Sequence, residues 1–69
     1  MNLAVKKINQ WTDKKGLSQK DFAALLGKSQ PYISMVCSGR IVVPDSMKQK
    51  FNEVTNGHIK LADWFKEAE

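Results

Sequence analysis

Only one cysteine, Cys37, stands among 69 residues, so no internal disulfide can form. A single histidine, His58, cannot complete a Cys/His set at zinc-ligand spacing, which leaves side-chain packing alone to hold a fold. Catalytic sets are missing too. His58 falls in an expected turn away from Cys37, no carboxylate pair or glycine-rich phosphate loop completes a reactive group, and the chain is not expected to be an enzyme. No apolar run approaches the roughly 20 residues needed to cross a bilayer, and the first residues lack the apolar stretch of a signal peptide. A cytoplasmic protein without membrane contact is expected. Repeats, low-complexity segments and linkers are also lacking, and the length suits one domain over 1–69 with no second, ligand-sensing one.

Acidic residues are in short supply. Seven Asp and Glu face eleven Lys and Arg, giving a net charge of +4. The excess is local: residues 1–40 carry seven basic groups against Asp13 and Asp21, a balance of +5, whereas residues 41–69 carry four against five, a balance of −1. A basic half points to a polyanion partner, because phosphate neutralisation with counterion release dominates nucleic-acid affinity.

That half contains the most organised stretch, Gln19 to Ser38. Ser18 and Asp21 form an S-x-x-D capping box at the start of a helix, and Phe22, Leu25 and Leu26 supply its apolar face. Gly27 stands where the chain must leave that helix through a left-handed conformation. Ser29 starts a second helix with Pro31 in its first turn, where a missing N–H costs nothing. Ala23 is small enough for a close helix crossing, and Ile33 with Val36 pins the second helix to the first. At 100° per residue, Cys37 falls on the inward side as a small core residue, while Pro31, Ser34, Met35 and Ser38 face away and Gln30 projects from the N-terminal end. Pro31 also disfavours an α conformation at Gln30, so the helix starts there or one residue later.

The flanks read as packing support. Asn2 caps a first helix running to about Lys14, with Ala4, Val5, Ile8 and Trp11 on one side, and Gly16 ends it. After Gly39 and Arg40, the β-branched Ile41, Val42 and Val43 run into Pro44, which stops a regular strand. Pro44 or Asp45 opens a fourth helix with Met47, Phe51 and Val54 inward, and a final short helix runs from about Leu61 to Glu67. Asn56-Gly57 is also a strong hairpin signal, so residues 51–61 are open between helices and a β-hairpin, with an all-α fold preferred.

Gln19, Ala23, Gly27, Ile33 and Val36, in register with two cap signals, resemble the helix-turn-helix of phage Cro and CI repressors and the wider repressor-like DNA-binding domains. Downstream, Gly39-Arg40, VVP, a helix and TNGHIKLADW are similar to the arrangement in small Cro-like proteins of phages and prophages. The resemblance implies an all-α, compact five-helix, lambda-repressor-like domain with its helix-turn-helix at about 18–38. It implies a sequence-specific transcriptional repressor that needs no cofactor and no small-molecule ligand, acting in a bacterial or phage-infected cell. Its partner would be double-stranded operator DNA, bound by a homodimer on a pseudo-palindrome with helix 30–38 in the major groove, and repression would come from occluding polymerase.

The matched positions and their chemistry assign roles. Gln30 is the leading base reader, since a carboxamide both donates to and accepts from an adenine edge, and Pro31, Ser34 and Met35 complete the reading face. Gln19, Lys20, Lys28, Ser29, Tyr32, Ser38 and Arg40 are expected at phosphates. Trp64 and Phe65 either close the core or anchor a two-fold dimer contact. The rival reading is a protein-interaction module, such as an antitoxin or antirepressor, built on the same scaffold.

Overall fold

The computed structural model describes residues 2–68. They form four α-helices, α1 (Leu3–Lys15), α2 (Gln19–Leu26), α3 (Gln30–Cys37) and α4 (Asp45–Val54), and one 3-10 turn, η1 (Leu61–Phe65). Helix ends follow local chemistry. The Asn2 side chain accepts from the Val5 amide at 2.8 Å to start α1. Gly16, at φ 70°, lets the chain turn back so that its own amide and that of Leu17 take up the Asp13 and Thr12 carbonyls at 3.1 and 2.8 Å.

The Asn56-Gly57 pair serves a helix exit and not a hairpin. Both residues have positive φ, 56° and 85°, the same demand a type I′ turn makes, but here they carry the chain off α4. The Gly57 amide donates to the Asn52 carbonyl at 2.8 Å. Buried Thr55 completes the exit, its hydroxyl donating to the Phe51 carbonyl at 2.7 Å and accepting from the Ile59 amide at 3.1 Å. Among the described residues the only β pairing is an isolated bridge between Asn2 and Glu67.

Two further expectations are corrected. The fifth helix is not an α-helix: it is a 3-10 turn ending at Phe65, after which Lys66 is extended and its carbonyl accepts from the Leu3 amide at 2.7 Å. Leu25 is not part of the α2 core face and stands 52% exposed. With Phe22, Ala23 and Leu26 buried, the centre of the inward stripe lies about 110° from Leu25 at 100° per residue.

Packing centres on a row of aromatic rings. Trp11 and Phe22 lie 5.6 Å apart between centroids, Phe22 and Phe51 5.8 Å, and Phe51 and Trp64 5.0 Å, all tilted or edge-on. The row links α1, α2, α4 and η1, while α3 adds Ile33 and Val36 to the same core. Among the described residues one charged group is also buried. Asp63 accepts from Lys7 Nζ at 2.7 Å and from the Lys60 amide at 2.8 Å, tying η1 to α1 across the chain. Burial alone would raise its pKa, but the Lys7 hydrogen bond, the Lys60 amide and the Lys7 and Lys66 charges outweigh it and hold the carboxyl below its ordinary value.

Candidate nucleic-acid interface

Two short helices and the turn between them form the candidate interface. The capping box closes reciprocally: the Asp21 amide donates to Ser18 Oγ at 3.1 Å and the Ser18 amide to Asp21 Oδ2 at 3.2 Å. At its far end α2 stops on Gly27, φ 72°, while the Lys28 amide reaches back to the Ala23 carbonyl at 2.9 Å. A β-carbon at Gly27 would stand 3.7 Å from Lys50 Nζ, so a lysine of α4 reaches the motif's turn. Nothing in the local sequence marks Lys50 for this place, since it lies 23 residues beyond Gly27.

The second helix begins at Gln30, with Pro31 inside its first turn. Ser29 makes no side-chain capping bond, so its hydroxyl remains available, as does the Gln30 amide, which has no acceptor one turn back. Ile33 and Val36 are buried, and Gln30, Pro31, Ser34 and Met35 are all exposed, as the helical period requires. The outer face is thus an amide, a ring, a hydroxyl and a thioether. Cys37 is half-buried at the inner edge, where burial pushes its thiol pKa up.

The expected phosphate group divides. Gln19, Lys20, Lys28, Ser29 and Arg40 are exposed at helix ends or just beyond. Arg40 follows the exit glycine, Gly39 at φ 75°, and its amide donates to the Met35 carbonyl at 3.0 Å. Tyr32 is placed differently from expectation: its ring is half-buried beneath Lys28, whose Nζ lies 5.3 Å from the centroid, and its hydroxyl is enclosed without a hydrogen-bond partner among the described residues. That orientation does not present the hydroxyl to a phosphate. Burial also raises the Tyr32 pKa. Ser38 remains exposed, but its hydroxyl donates to the Met35 carbonyl at 3.2 Å and so is spent on ending α3.

The description "helix-turn-helix" belongs to the family model that matches residues 7–57, most of the chain. This chain belongs to the helix-turn-helix family. Neither a curated protein nor a solved structure matches it. As a helix-turn-helix, the pair α2 and α3 belongs to a DNA-binding, regulatory class. Among the described residues, no helix is long and apolar enough to cross a membrane.

The two aromatic residues near the end of the described chain differ in exposure. Trp64 sits half-buried on Phe51, its indole Nε1 enclosed without a partner among the described residues, while Phe65 is 78% exposed with Lys48 Nζ 4.2 Å from its ring centroid. Beside Phe65, a groove of about 230 Å³ runs past Ile41, Val42, Val36 and Gly39, the residue that ends α3's exit.

Proposed function

We propose that this protein is a Cro-like transcriptional repressor that binds a pseudo-palindromic operator as a dimer, with α3 in the major groove. The observation that carries the reading is the outer face of α3, where Gln30, Pro31, Ser34 and Met35 are exposed on a helix whose other side is locked into the core. In this reading those four residues read bases, while Gln19, Lys20, Lys28, Ser29 and Arg40 hold phosphates. Repression follows from occupying the promoter, without a cofactor.

Phe65 and the adjoining Val42, 91% exposed, supply the apolar surface for a two-fold contact, and Trp64 supports that surface from within. The same exposed pair favours the rival reading, an antitoxin or antirepressor that docks a protein partner. Selection of bound duplexes from a random pool separates them. A two-fold symmetric consensus supports the repressor; no enrichment, together with a stable heteromeric complex, supports the rival.

Gln30→Ala is expected to weaken binding at one or two base pairs by about 1–3 kcal/mol, measured against a panel of single-base operator variants. Uniform losses across the panel would remove Gln30 from base reading. Arg40→Ala is expected to weaken binding on every sequence alike and to reduce the salt slope by about one unit per protomer. An unchanged slope in a salt titration would take Arg40 off the phosphates.

A further inference from the structure

A second concave surface lies outside the helix-turn-helix. Between the last turns of α1 and the segment leading from α4 to η1, a groove of about 310 Å³ is lined by Gln10, Trp11, Lys14, Lys15, Asn56 and His58. The Thr55 hydroxyl at its base is already engaged with Phe51 and Ile59. No carboxylate lines it, and neither lysine enters an ion pair among the described residues. Lys15 lies 5.8 Å from the Trp11 ring centroid, and among the described residues the exposed Gln10, Asn56 and His58 side chains have no hydrogen-bond partner.

Basic residues in the last turn of a helix also offset its dipole. That accounts for Lys14 and Lys15 alone. It does not account for their meeting the Asn56 carboxamide and the His58 imidazole from another part of the chain, beside Gln10 of α1 itself, at a helix end whose Asp13 and Thr12 carbonyls are already satisfied. Five side chains able to donate hydrogen bonds, two of them ammonium groups, converge on one concavity. A tetrahedral oxyanion is the ligand that such a set recognises.

We propose that this groove holds a phosphate group. The inference rests on the DNA-binding reading for its ligand's source, the duplex backbone flanking the half-site. From Lys15 the chain reaches Gln19, at the start of α2, in four peptide units, so their Cα atoms are no more than about 15 Å apart. Along one strand, charges follow every 3.4 Å or so of duplex axis, so a span of about 15 Å covers roughly four phosphates beyond one held at α2. A phosphorylated small molecule would offer the same chemistry.

The test compares the intact protein with a Lys14→Gln/Lys15→Gln double variant, its fold checked by circular dichroism. Salt titrations use the duplex recovered by selection, once with long flanks and once trimmed to the half-sites. The intact protein is expected to show the steeper slope on the long duplex, by about 0.9 for each flanking phosphate held, and the double variant to lose that difference. In a second arm, inorganic phosphate is titrated into the DNA-free protein while the His58 imidazole resonances are followed by NMR. A saturable shift absent from the double variant assigns the groove to a free phosphate ligand. A flank-dependent slope that survives the substitutions, or no flank dependence and no saturable shift, overturns the proposal. Operator binding that persists in those cases leaves the repressor reading standing, whereas an intact protein that binds no duplex fails that reading by itself.

Discussion

Phe51→Ala is expected to remove 3–5 kcal/mol or so of folding stability and to leave much of the chain unfolded at 25 °C. A domain of this length has about 3–10 kcal/mol in all, so the loss approaches the whole. The size follows from position. Phe51 is fully buried and is the ring that touches both Phe22 of α2 and Trp64 of η1, so truncation opens a cavity and breaks two aromatic contacts together. Urea unfolding followed by circular dichroism gives the number. A loss below about 1 kcal/mol would mean that the surrounding helices collapse onto the space, and that the aromatic row is not what joins α2 to η1.

The second large effect belongs to the Lys7–Asp63 pair. Lys7→Met is expected to cost about 3 kcal/mol, the low end of the range for stranding a buried charge, because the ammonium keeps some access to water. Asp63 would retain the Lys60 amide but lose its nearest cation. Asp63→Asn keeps an acceptor for that amide and frees Lys7 to turn to solvent, so its cost should be smaller. Acidification supplies the sign. The folded pKa of Asp63 lies below the unfolded one, so its contribution is complete above about pH 5 and is lost as the pH falls past an unfolded value near 3.9 and on through the lower folded value. Intact protein and Asp63→Asn should therefore differ at pH 7 and converge toward pH 3 in urea unfolding. A constant difference at both pH values would show that the pair is held by something other than charge.

Local rules carried the motif. Ser18 with Asp21, Gly27, and the burial of Ala23, Ile33 and Val36 depend on neighbours within one or two turns, and all are where the sequence placed them. The helix-turn-helix was legible for that reason. Trp64 and Phe65 were not separable, because adjacent residues of a 3-10 turn diverge by about 120° and only the partner ring, Phe51, decides which one turns inward. Asp63 was equally opaque, since its partner lies 56 residues away. Leu25 was misread because an eight-residue helix offers several apolar stripes, and the one buried runs through Phe22, Ala23 and Leu26. At the interface, the Tyr32 hydroxyl turned inward and that of Ser38 was consumed by a helix end, outcomes set by tertiary packing and by the exact exit from α3.

The meeting of Leu3 with Lys66, and of Asn2 with Glu67, makes the fold a closed ring in which the first helix waits for the last described turn. A nascent chain translated only through Val54 has its motif helices written but lacks the Trp64 ring and the Asp63 carboxylate that hold α1 and α4 in place. At 5–20 residues per second, the stretch that completes the ring takes about 1–3 s to make. During that interval α2 and α3 have no finished scaffold behind them. Binding competence should therefore arrive all at once and only after η1 is made, and chains cut short before η1 should be inert and prompt targets for proteolysis.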